Sequence, residues 1–101
     1  MWIFKVGVVG AGAMGGGIGQ VVTYSGLPVV IKDIDQTQLD VARDHVEKIY
    51  QGRVDKGKMT QGQVQEKLGL IEYTLDYASF ADVDIVIEAV PEVLAIKQQV
   101  F

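Results

Sequence analysis

The clearest chemical signal in this chain comes from three glycines and an acid. Gly10-Ala11-Gly12-Ala13-Met14-Gly15 has the spacing G-x-G-x-x-G. It follows an apolar, β-branched run and precedes residues that repeat at helical spacing, the context that gives six such residues physical meaning. Gly10 permits a tight turn out of a strand. Gly12 has no Cβ, so the backbone can approach a pyrophosphate. Gly15 lets a helix pack close to the strand. N–H groups at a helix start lack intrahelical acceptors and carry partial positive charge, which suits a pair of phosphates. The Met14 N–H belongs in that cradle, whatever its side chain packs against.

Asp33 ends the next apolar run, roughly 20 residues on. A carboxylate there can accept both hydroxyls of an adenosine ribose and repels a 2′-phosphate. No arginine follows it, so NAD is favoured over NADP. The alternative makes Asp33 and Asp35 turn and capping acids; Asp35 is read that way and Asp33 as the ribose ligand. A close-packed turn without ligand is the alternative for glycines, and Gly16 and Gly17 fit it, at about 1 kcal/mol each against alanine.

These residues need a scaffold. Trp2 to Val9 reads as a strand buried on both faces. Ala13 to Ser25 follows as a helix stopped by Gly26. Val29 to Lys32 is a second strand, and Gln38 to Val54 a second helix with Thr37 as N-cap. The sequence KGK at 56–58 breaks that helix. Thr60 caps a short third helix carrying Val64 and Leu68. Leu70 to Thr74 is strand three and Val83 to Val90 strand four, ended by Pro91. Glu92 to Phe101 reads as the start of a last helix.

Strands joined by helical crossovers imply a parallel sheet with right-handed connections. The expected fold is α/β: the first half of a Rossmann-type, doubly wound parallel sheet, strand order 3-2-1-4, truncated after strand four. That leaves the apolar Asp84-Ile-Val-Ile-Glu-Ala-Val at an open edge, a sticky position. The expectation is a piece of a longer protein, or a partner over that edge.

Ligands of open α/β sheets sit outside the carboxyl ends of the strands. Val90, Pro91 and Glu92 therefore lie where the nicotinamide half passes, with Lys97 one helical turn on. From the residues alone, Glu92 and Lys97 are a surface helix pair worth about 0.3 kcal/mol. His45, the only histidine, reads as a surface residue of the second helix rather than a general base. No nucleophile–histidine–acid set and no metal cluster can be assembled.

Composition bounds the rest. A chain of 101 residues fits one domain, here 1–101, burying roughly 60–65% of its unfolded surface. Nine Lys+Arg against thirteen Asp+Glu give a net charge of −4, which argues against polyphosphate or anionic-membrane partners. The absence of cysteine removes disulfides, thiolate catalysis and Cys-ligated zinc, and fits a reducing, cytoplasmic setting. No apolar stretch reaches the roughly 18 residues of a membrane helix. The opening MWIFKVGVVG reads as a strand, not a signal peptide.

Together these residues resemble the NAD-binding domain of the 3-hydroxyacyl-CoA dehydrogenases almost end to end. VGVVGAGAMGGGIGQ is similar to that family's opening strand, glycine turn and helix. GLPVVIKDID, TLDYASF and DVDIVIEAVPEVLAIKQQVF are most similar to the dehydrogenase portion of the multifunctional fatty-acid oxidation α subunit, in which an enoyl-CoA hydratase is joined to this dehydrogenase. The resemblance implies NAD contacts at Gly10, Ala11, Gly12, Ala13, Met14 and Gly15, at Asp33, at Val90, Pro91 and Glu92, and at Lys97. Pro91 departs from the residue usual at that position. Lys56 is a weak candidate for acyl-CoA contact at the end of the second helix, where Ile49 replaces an often polar residue.

The implied reaction oxidises the 3-hydroxyl of a hydroxyacyl-CoA, in fatty-acid β-oxidation, with a histidine taking the proton and a glutamate orienting it. Both lie beyond Phe101 in the family's pattern, so no catalytic residue is assigned here and His45 does not take that role. Implied associations are an acyl-CoA substrate and a homodimer or a fused hydratase or thiolase. The competing readings are a dinucleotide-binding module without turnover and another β-hydroxyacid dehydrogenase, against which DIVIEAVPEVLAIK weighs.

Overall fold

The computed structural model describes residues 4–10 and 12–89, and the backbone of Leu94–Gln98. Its strands are β1 (Val6–Val9), β2 (Val29–Lys32), β3 (Ile71–Thr74), β4 (Ile85–Ala89) and β5 (Leu94–Gln98). Its helices are α1 (Gly12–Tyr24), α2 (Gln36–Asp55) and α3 (Gln61–Leu68), with a 3-10 turn at Ala78–Phe80. One sheet has the order β3-β2-β1-β4-β5. The first four strands are parallel, in the expected order, and β5 runs antiparallel to β4.

Alternation along the strands builds two cores. Val6, Val8, Val29 and Ile31 face Leu39 of α2 and Ile18 and Val22 of α1. Val30 faces the other way, packing with Phe80 and Val83. Gly7 makes room for the Phe80 ring: a Cβ there would lie 2.7 Å from Phe80 Cε2. A third cluster, Val46, Tyr50 and Val64, ties α2 to α3. Gly16 lets α1 cross close over α2, since its Cβ would meet the Ala42 carbonyl oxygen at 2.6 Å. Tyr50 is fully buried at that crossing, its hydroxyl 2.7 Å from Thr23 Oγ1. Burial raises its pKa above the ordinary phenol value.

Several boundaries differ from expectation for identifiable reasons. β1 begins at Val6 because the Asp84 carboxylate takes the N–H groups of Phe4 (2.8 Å) and Lys5 (3.0 Å), ending the ladder. The N-cap of α2 is Asp35, not Thr37. The Asp35 carboxylate accepts the Thr37 N–H at 2.9 Å, so the helix starts at Gln36. Thr60 caps α3 as expected, in a reciprocal capping box with Gln63.

The largest correction concerns the stretch after Pro91. Where a helix was expected, Leu94–Gln98 is a strand, with Ile87 opposite Ile96 and Val86 opposite Lys97. A short isolated helix is marginal in water, whereas β4 offers a row of N–H and C=O groups that pairing satisfies. β4 is therefore an interior strand among the described residues. No described helix is long and apolar enough to cross a membrane.

Candidate functional site

The glycine turn lies at the carboxyl end of β1, between β2 and β4. The Gly10 N–H donates to the Lys32 carbonyl oxygen at 2.8 Å, carrying the parallel pairing one residue past the strand. Gly10 has φ +95° and Gly12 φ +73°, a region that side chains disfavour. A Cβ on Gly10 would overlap the Ala89 carbonyl oxygen, and one on Gly15 the Gly10 carbonyl oxygen. These two glycines thus pack the turn against β4 and against itself.

Gly12 is different. Among the described residues beyond its own helix, the position its Cβ would take meets Gln38 Oε1 alone, at 2.9 Å, the end of an exposed side chain reaching across from α2. The space above Gly12 is bounded by a flexible amide rather than by backbone. The residues fit a diphosphate: a Cβ-free cradle at a helix start with no acidic residue in its first turn. Ala13 and Met14 are exposed beside it, while Gly12 and Gly15 are buried. Ala11 lies outside the described residues.

Asp33 follows β2 directly and is half-buried. Its N–H donates to the Thr74 carbonyl oxygen at 3.2 Å, and its Oδ1 accepts the Asp35 N–H at 3.0 Å. The second bond closes a small turn that fixes the carboxylate at the start of α2. Asp33 and Gly10 are thereby both anchored to the end of β2, one following Lys32 in the chain and the other bonded to its carbonyl.

On the opposite face of the sheet, Lys32, Val9 and Glu88 form one row across β2, β1 and β4. Val9 and Glu88 line a cleft of about 360 Å³ with Tyr77, Phe80 and Val86. Lys32 is 5% exposed, and its Nζ lies 4.1 Å from the centre of the Tyr77 ring. A buried lysine at a strand end, stabilised by an aromatic face, makes this edge of the crevice amphipathic. The sequence places Lys32 at the end of a strand and gives Tyr77 no role. The signal available was a charge closing an otherwise β-branched strand immediately before Asp33. Gln38 carried no such signal.

Of the other expected ligands, Val90, Pro91 and Glu92 lie outside the described residues. Lys97 does not stand a helical turn beyond them. Its backbone sits opposite Val86, three residues back from Ala89 at the end of β4. His45 is on α2 with its Nε2 3.7 Å from where a Gly17 Cβ would be, a packing position between helices. No group of three or more metal-ligating side chains occurs among the described residues.

Comparisons with known proteins agree with this geometry. The family profile described as "3-hydroxyacyl-CoA dehydrogenase, NAD binding domain" matches residues 5–101. A peroxisomal fatty acid beta-oxidation multifunctional protein of Arabidopsis thaliana is 41% identical over 99 residues, covering 98% of this chain and 14% of that protein. A fatty acid oxidation complex subunit alpha of Psychrobacter arcticus is 45% identical over 98 residues, covering 97% and 14%. The crystal structure of an (S)-3-hydroxybutyryl-CoA dehydrogenase from Ralstonia eutropha superposes with a TM-score of 0.84 at 35% identity, over 90% of this chain and 32% of that one. The chain thus spans about one seventh of the length of these curated relatives.

Proposed function

Because the chain belongs to the family of 3-hydroxyacyl-CoA dehydrogenase NAD-binding domains, we propose that it is the cofactor-holding portion of an enzyme that oxidises (S)-3-hydroxyacyl-CoA to 3-ketoacyl-CoA in β-oxidation. The observation that carries this is the Gly12 position, where a helix start presents N–H groups and, among the described residues beyond its own helix, the movable Gln38 amide is what stands over it. Bound NAD supplies the hydride acceptor for that oxidation. The backbone N–H groups of Gly12, Ala13 and Met14 hold its diphosphate, Gly15 packs the turn beneath it, and Asp33 accepts its adenosine ribose hydroxyls. Ala11, Val90, Pro91 and Glu92 complete the proposed contacts, and Lys97 joins them on the family resemblance alone, its backbone lying opposite Val86.

The proton-transferring residues belong to the remainder of the enzyme, as does the greater part of the acyl-CoA site. Two features support that division. His45 is half-buried on α2 with its ring facing Gly17 of α1. Met14, Ile18, Val21 and Ile87 line an apolar cleft of about 450 Å³, a surface that further protein would cover. A fused hydratase or a thiolase partner fits the multifunctional names of the relatives, and a cytoplasmic setting fits the cysteine-free sequence.

The test is a pair of measurements on the 101-residue chain. NADH titrated by fluorescence binds weakly, and acetoacetyl-CoA with NADH gives no oxidation at 340 nm. Turnover above the buffer rate would show that catalytic groups have been missed in this chain, and absence of NADH binding would remove the cofactor assignment.

A further inference from the structure

Gln38 has no obvious structural duty. It lies in the first turn of α2, where its N–H donates to the Asp35 carbonyl oxygen at 3.1 Å. Its side chain is exposed and makes no hydrogen bond to another described residue. It turns across the crevice until Oε1 stands 2.9 Å from the Cβ position of Gly12. That puts a side-chain amide directly beside the glycine turn, within reach of any group seated over Gly12.

We propose that Gln38 is a cofactor-positioning residue, whose side-chain amide spans the diphosphate over Gly12 and the adenosine ribose held by Asp33. This rests on the assignment of the glycine turn to NAD. The amide has a donor and an acceptor on one end, and a half-rotation exchanges them. Turned with Nε2 toward the glycines, it donates to a phosphate oxygen while Oε1 accepts a ribose hydroxyl. The start of α2 already carries Asp33 and Asp35, two negative groups beside a ligand that is itself negative. A neutral donor at 38 adds a contact without adding repulsion. A third carboxylate at the same place would face the phosphates across the Gly12 turn.

The experiment compares the wild-type 101-residue chain with Gln38→Ala and Gln38→Glu, titrating NADH and ADP-ribose at low salt. ADP-ribose carries the diphosphate and adenosine ribose without the nicotinamide. Loss of two hydrogen bonds from an exposed side chain, one of them to a charged phosphate, predicts a roughly tenfold weaker affinity for both ligands in Gln38→Ala. Gln38→Glu weakens both by about tenfold or more, and added salt narrows that gap. Position 38 is exposed, so circular dichroism and melting temperature stay at wild-type values, which a merely structural residue would not combine with lost affinity. Unchanged or tighter binding in Gln38→Ala makes the side chain a bystander or an obstacle and overturns the proposal, with the cofactor assignment intact. A wild-type chain that binds neither ligand overturns both.

Discussion

Gly12→Val removes dinucleotide binding while leaving the sheet folded. The expected loss in NADH affinity is at least about a hundredfold, since the γ-carbons displace a diphosphate from N–H groups whose charge-assisted bonds are worth roughly 1.5–3 kcal/mol each. The fold survives because, among the described residues beyond its own helix, the new Cβ meets just the movable end of Gln38. The left-handed backbone at φ +73° costs about 1–2 kcal/mol with a side chain. Neither neighbouring glycine can make this separation. Side chains at Gly10 and Gly15 would run into carbonyl oxygens of Ala89 and Gly10, so folding and binding would fail together. The readout is NADH fluorescence beside a circular dichroism melt. A Gly12→Val chain that melts near wild type and binds NADH with wild-type affinity would show the diphosphate lies elsewhere.

Asp33→Ala acts on selectivity. Two hydrogen bonds from ribose hydroxyls to a carboxylate are lost, but the group is half-buried, so solvent screens part of their worth. NADH affinity is expected to fall about tenfold to a hundredfold. NADPH moves the other way, because a 2′-phosphate no longer faces an anion. The preference for NADH over NADPH therefore narrows by about two orders of magnitude. Competition titrations of both nucleotides against each variant measure this. Equal weakening of both by the substitution would make Asp33 a turn residue whose bond to Asp35 merely shapes the start of α2.

Most of the cofactor cradle was legible in the sequence because its determinants are local. Three missing side chains and a β-branched strand on either side constrain the backbone within a few residues. The parallel order of four strands followed from their crossovers, and Thr60 with Gln63 announced the third helix three residues apart. What escaped was decided by groups outside the segment being read, some of them far along the chain. Asp84 ends the first strand from 79 and 80 positions away in the chain. Gln38 is an unremarkable polar residue until α2 docks against α1. Asp35 outcompeted Thr37 as cap because Asp33 had already turned the chain. Leu94–Gln98 has the composition of a helix, and only the pairing groups of β4 give it a reason to be a strand.

The central claim is that a diphosphate rests on the backbone N–H groups at the start of α1. It is tested most directly by titrating NADH into the ¹⁵N-labelled 101-residue chain and following the assigned amide resonances. The predicted result is that Gly12, Met14 and Gly15 shift the most, with Asp33 moving in the same titration. Binding that shifts the α3 amides while those of Gly12, Met14 and Gly15 stay fixed would contradict it.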